Sequence, residues 1–206
     1  MAKLYTQKCR LCRAAGEKLF LKGDRCFTKC PIDKKGAVPP GQHGHKGRKR
    51  LSDYGIRLKE KQKLKILYGL TEKEMKEYFT QARKSKQSTG EKLFQILESR
   101  LDNLVYRLGF ASSRRSARQL VSHKHVLVDG KVVNIPSYLV KPGEVITLEP
   151  KTADLPLVKS MLEKKDFKTP DWLEKKALGG RMSRLPKREE IDAKVDEQLV
   201  IEYYSR

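Results

Sequence analysis

All four cysteines of this chain fall within its first thirty residues, as Cys9-x-x-Cys12 and, after thirteen intervening residues, Cys26-x(3)-Cys30. Paired thiols at this spacing, in a chain that opens MAKLYTQKC with none of the features of a signal peptide, point to a metal knuckle and not to disulfides. Four thiolates form a closed tetrahedral set that suits structural Zn2+ and leaves no open position for catalysis. An iron–sulfur cluster is the alternative occupant, and four unrelated reduced cysteines are the plain reading.

A second group could act on nucleic acid by charge alone. The stretch GAVPPGQHGHKGRKR, residues 36–50, has no apolar period and cannot build a core, so it is expected to be a loop or an extended arm. Lys46, Arg48, Lys49 and Arg50 can each neutralise a phosphate there. His43 and His45 are expected as backbone or base contacts, because the cysteines already supply one full metal site. A solvated linker is the bland alternative.

The third group lies on a helix. Ser112 or Ser113 can cap a helix running to about Lys124 whose two faces differ in kind. Ala117, Leu120 and Val121 share one face, while Arg115, Arg118, Gln119 and Ser122 share the other, with Arg114 on the border. His123 and His125 flank its basic end. Earlier in the chain, Arg57 and Lys61 on a lysine-rich helix join the candidate RNA-binding set. Asp102 in Arg100–Leu101–Asp102 is the one carboxylate that invites a catalytic reading. It lies inside an apolar helical stripe with Arg100 and Arg107 nearby, so a surface ion pair is expected. No nucleophile accompanies the histidines either, and the chain is not expected to be an enzyme.

These groups need elements to hold them. Leu93, Ile96, Leu97, Leu101, Leu104, Val105 and Leu108 recur at helical spacing, which predicts one helix ended by Gly109. After the arginine helix the period changes to two: Val126 and Val128, an Asp129–Gly130 turn, then Val132 and Val133 predict a hairpin. A Pro142–Gly143 turn leads to a last strand over 144–148. Helices on a small antiparallel sheet make residues 91–150 a compact α+β RNA-binding module. Upstream, a helix from Leu51 to about Tyr68 ends at Gly69, and Thr71 with Glu74 forms a capping box for the stripe Met75, Tyr78, Phe79 and Ala82. These two helices, 51–90, need a further element to close their core, and SKQSTG is the expected boundary with the module. Beyond Pro150, LPLVKSMLEKK predicts a helix, PDWLEKK a turn anchored by Trp172, and 179–190 a connector. Periodicity leaves the tail VDEQLVIEYYSR open between helix and edge strand.

Charge distribution fits this division. The chain carries a net charge of +21, and 46 basic residues face 25 acidic ones. Residues 1–50 alone contribute +11, 51–90 +5, 91–150 +3 and 151–206 +2. A balance this basic calls for an anionic partner, nucleic acid before a membrane surface. No apolar run approaches a spanning helix, so the expected location is cytoplasmic, with no membrane partner. In the module, binding must depend on the placement of few charges, whereas the N-terminal quarter holds RNA by charge density.

The stretch SRLDNLVYRLGFASSRRSARQLVSHKHVLVDGKVVNIPSYLVKPGEVI resembles the RNA-binding module of the S-four family of small-subunit ribosomal proteins. CRLCRAAGEKLFLKGDRC, PPGQHGHKGRKRLSDYGIRLKEKQKLKILYGLTEKEMKEYF and DEQLVIEYYSR are similar to the flanks of that family, so the resemblance covers nearly the whole chain and is weakest over 151–187. It implies a module inserted between an N-terminal zinc-knuckle and helical domain and a C-terminal helix that returns, over 188–206, to close the latter. Some family members carry the cysteine set, with a last spacing that can be one residue longer. The implied role is a structural one: binding small-subunit ribosomal RNA, nucleating the 5′ domain, and lying with proteins S-three and S-five beside incoming messenger RNA, where decoding accuracy is affected. A free RNA-binding regulator is the runner-up, and an RNA-modifying enzyme the third reading. Only the first accounts for three separate RNA-facing segments.

Overall fold

The computed structural model describes residues 7–46, 50–163 and 169–205. The described chain forms two compact units, one of residues 1–84 with 193–206 and one of residues 85–192.

In the first unit, α1 (Lys8–Ala15) ends at Gly16, whose φ of +88° closes the last turn. Two short helices follow, α2 (Arg25–Thr28) and α3 (Pro31–Lys35). A single 3-10 turn at Gly44–Lys46 interrupts the stretch expected as an arm. Gly44 is required there, since a Cβ would lie 2.0 Å from the Pro39 carbonyl oxygen. The long helix α4 (Asp53–Tyr68) starts at Ser52, whose hydroxyl accepts from Gly55 N–H, and ends at Gly69 in the left-handed region. Next comes α5 (Glu72–Arg83), whose Thr71–Glu74 capping box has both reciprocal bonds. Met75, Tyr78, Phe79 and Ala82 are buried along one stripe, as their spacing requires.

In the second unit the stripe expected as one helix is two, α6 (Thr89–Glu98) and α7 (Leu101–Arg107). The periodicity is continuous, but the backbone at Arg100 is extended and bridges Leu139. Leu101 N–H donates to the Tyr138 carbonyl at 2.8 Å and Val140 N–H to that of Ser99 at 2.9 Å. Peptide groups engaged sideways cannot also continue a helix, so the rod breaks while every apolar position stays inside. Ser113 caps α8 (Arg114–Ser122) by accepting from Ser116 N–H. The hairpin of β1 (Val126–Val128) and β2 (Lys131–Val132) turns at Asp129 and Gly130, both at positive φ, the two-residue geometry that matches strand twist. The strand β3 (Val145–Leu148) pairs antiparallel with β1.

The region beyond Pro150 departs most from expectation. A helix α9 (Pro156–Leu162) forms, but the stretch assigned to a turn and a connector is a hairpin, β4 (Leu173–Lys176) and β5 (Gly179–Met182). It extends the sheet to five antiparallel strands in the order β2-β1-β3-β5-β4. The turn residues Ala177 and Leu178 carry none of the usual hairpin signals, and Ala177 takes a φ of +35°. Gly180 lies where a Cβ would be 2.4 Å from Leu108 Cδ2, so any larger residue there would force the Leu108 side chain aside. Leu101, Leu104, Val105 and Leu108 of and beside α7, Ala117 and Val121 of α8, and the inward residues of the sheet share one core with Trp172.

The tail is helical. Asp196 caps α10 (Glu197–Tyr204), which packs on α4 in the first unit. Tyr204 stacks on Phe79 at 4.8 Å between centroids, so the tail supplies the surface that α4 and α5 lack.

Candidate nucleic-acid interface

The arginine face of α8 is built on buried polar chemistry. Glu98, fully buried at the end of α6, accepts two hydrogen bonds from Arg107, at 3.1 and 2.9 Å, and one from Asn103 Nδ2 at 2.6 Å. The other end of that amide, Asn103 Oδ1, accepts from Arg114 Nε at 2.8 Å. Arg114 also lies over the Tyr106 ring, 4.8 Å from its centroid. Beside this chain runs a second one. Asp102 accepts from Arg100 Nε at 3.0 Å and Nη2 at 2.8 Å, and its Oδ2 lies 3.9 Å from Arg118 Nη1. Asp102 is therefore not the surface carboxylate expected from its spacing; it is 4% exposed, because the break at Arg100 turns it inward.

The consequence is orientation. Ala117, Leu120 and Val121 anchor α8 in the core, while Arg114 is tethered from below at its guanidinium and Arg118 lies within 3.9 Å of the Asp102 carboxylate. Arg115, Gln119 and His123 are exposed on the outer side, and Ser122 is half-buried. A cation held in place loses less rotamer freedom on meeting a phosphate than a mobile one. His125 is half-buried, its Nδ1 3.1 Å from the hydroxyl of the buried Thr152. Arg114, Arg115, Arg118, Gln119 and Ser122 thus lie on α8 itself, whereas His123 is its C-cap and His125 lies beyond its end.

Two other candidates are placed differently. Lys61 is 3% exposed, donates to Glu72 Oε1 at 2.6 Å and lies 4.5 Å from the centre of the Tyr203 ring. Its position in the α4 sequence looks solvated, but α10 covers it, so Lys61 holds the unit together instead of meeting RNA. Arg57 Nε donates to Glu202 Oε2 of the same helix at 2.6 Å and is engaged in the same way. Burial alone would raise the Glu72 carboxyl; hydrogen bonds from Lys61 and Lys65, the Lys61 charge and the Tyr204 hydroxyl outweigh it and hold the group at about 2. In the basic stretch, Lys46 and Arg50 are exposed, whereas Arg48 and Lys49 lie outside the described residues.

Cys9, Cys12, Cys26 and Cys30, brought together by α1, α2 and α3, line one cavity with Lys22, Arg25 and Lys29 among its walls. Lys22 N–H donates to Cys26 Sγ at 3.3 Å. Burial pushes the Cys12 thiol up; the Leu19 N–H works against this, and the charges of Cys26, Cys9 and Cys30 add to the rise. Four cysteine thiols on one cavity supply the donor type that structural zinc takes. They do not stand as a finished shell: among the described residues, no group of three or more His, Cys, Asp or Glu is arranged to hold a metal ion. No helix among the described residues is long and apolar enough to cross a membrane.

Comparison with known proteins matches two family profiles. Residues 3–98 match the ribosomal protein S4/S9 N-terminal domain, and residues 99–146 match the S4 domain. The chain is 50% identical to the small ribosomal subunit protein uS4 of Natranaerobius thermophilus, over all of both chains. It is 52% identical to uS4 of Caldicellulosiruptor saccharolyticus, again over all of both, and 52% identical to uS4 of a Thermoanaerobacter strain over 96% of each.

Proposed function

Because this chain belongs to the uS4 family of small ribosomal subunit proteins, a structural family and not one of enzymes, we propose that it binds small-subunit ribosomal RNA and nucleates the 5′ domain. It acts in the cytoplasmic ribosome, beside proteins S-three and S-five, where messenger RNA enters. The observation that carries this reading is the arginine face of α8, with Arg114 hydrogen-bonded to Asn103 and Arg118 near Asp102 above an apolar anchor. The helix face supplies specific placement. The exposed Lys46 and Arg50, with Arg48 and Lys49, supply phosphate grip near the incoming message.

A structural Zn2+ ion held by Cys9, Cys12, Cys26 and Cys30 completes the reading, with an iron–sulfur cluster as the alternative occupant. Bound metal would fold the N-terminal segment and supply no reaction. The Lys22 N–H to Cys26 supports this, since a backbone donor stabilises a ligating thiolate.

The test is the double variant Arg115→Ala/Arg118→Ala, titrated against a transcript of the 5′ domain of small-subunit ribosomal RNA. Affinity should fall by about ten- to a hundredfold, and the salt slope by about one to two units. Thermal stability should change little, because the Arg118–Asp102 contact is long and partly solvated. A large fall in melting temperature with unchanged affinity would make these arginines structural and overturn the reading.

A further inference from the structure

The N-terminal segment carries an aromatic pair that the buried core does not use. Phe20 and Phe27 stack with ring centroids 5.0 Å apart and planes at 29°. Both stay in solvent: Phe20 is 40% and Phe27 70% exposed. Neither ring is among the residues lining the cysteine cavity, so the pair does not roof that site. Phe20 also has a φ of +49°, a backbone conformation that L side chains seldom adopt. One exposed phenylalanine needs no explanation, but two that stack on each other and remain open to water form a surface.

The setting decides what that surface takes. Lys22 lies two residues after Phe20, and Arg25 and Lys29 lie two residues either side of Phe27, with Arg25 and Lys29 both exposed. Residues 1–50 carry a net charge of +11, and cations so dense around an aromatic pair disfavour the apolar patch of a protein partner, whose burial would strand them. They suit a ligand with a flat aromatic face and an anionic backbone. We propose that Phe20 and Phe27 form a stacking platform for an unpaired base of ribosomal RNA, with Arg25 and Lys29 meeting the flanking phosphates. The proposal rests on the RNA-binding reading above and assigns a contact of its own to the N-terminal unit. Phenylalanine offers no hydrogen bond to a base edge, so the platform holds any base by its face and confers no sequence preference.

The full-length protein tests this against the same 5′-domain transcript. Phe27→Ala should weaken binding about tenfold while the salt slope stays unchanged, since no phosphate contact is lost. Phe27→Tyr should bind like wild type, and Phe27→Leu like Phe27→Ala. In Phe27→Trp the new indole should be quenched on adding RNA, against a steady background from the buried Trp172; this readout stands even if Phe27→Ala disturbs the knuckle. Wild-type affinity for Phe27→Ala, rescue by Phe27→Leu, or an unquenched indole would each overturn the platform while the RNA reading survives. Unchanged RNA affinity together with loss of a protein contact in the assembled subunit would assign the surface to protein and overturn it too. If wild type does not prefer this transcript to an unrelated RNA of equal length, the RNA reading fails and the platform with it.

Discussion

Replacing Asp102 with alanine should unfold the second unit far more readily than the loss of a surface carboxylate would. Arg100 is fully buried, and Asp102 receives two of its hydrogen bonds, at 3.0 and 2.8 Å. Removing the carboxylate leaves a guanidinium in the interior without its counter-charge, which costs about 3 to 5 kcal/mol when one partner of a buried pair is deleted. Arg100 keeps other contacts, so the lower end, about 3 kcal/mol, applies. With a urea slope of about 2 kcal/mol per molar, the midpoint should fall by about 1.5 M. The assay is built into the chain: Trp172 is its one tryptophan, buried in the core shared by α7, α8 and the sheet, so its fluorescence reports this unit. The pair Arg100→Met/Asp102→Leu removes both charges and should recover most of the loss, since an apolar pair of similar volume replaces them. A single-variant cost below about 1 kcal/mol, or a double variant no better than the single, would refute the buried-charge argument.

Native mass spectrometry should find one zinc ion per chain, and Cys9→Ser or a chelator should unravel the N-terminal segment before either helical core; a metal-free native chain that stays ordered would dismiss the knuckle. Gly180→Ala forces a Cβ to within 2.4 Å of the buried Leu108, at a cost of about 1–3 kcal/mol. At Gly179 the nearest atom is the Thr147 methyl at 3.1 Å, so Gly179→Ala should be milder, and the reverse ranking in urea melts would place β5 differently. Glu72, held at about 2 against an ordinary 4.5, stabilises the folded state above that ordinary value, and the contribution is lost as pH falls through the interval towards 2. Acid titration followed by circular dichroism should show this loss in wild type and not in Glu72→Gln; identical curves would remove Glu72 from the account.

What the sequence determined by itself is local. Ser52, Ser113 and the Thr71–Glu74 box cap helices because a side-chain oxygen within three residues of an orphan N–H needs no distant partner. Asp129–Gly130 turns its hairpin for the same reason, and the two-sided pattern of α8 fixes which side is buried as soon as any core forms. The α+β character of the module and the basic helix were legible on these grounds. What only tertiary structure decided involves partners far along the chain. The stripe from Leu93 to Leu108 is continuous, yet Tyr138 and Val140 take up the peptide groups around Arg100, split the helix and turn Asp102 inward. Lys61 and Arg57 look like solvated charges until α10 arrives more than a hundred residues later to cover Lys61 with Tyr203 and pair Arg57 with Glu202. The β4–β5 hairpin has neither an apolar alternation nor a turn signature of its own. It exists because β3 offers an edge and Leu108 leaves room for glycine, and neither condition is written within its own residues.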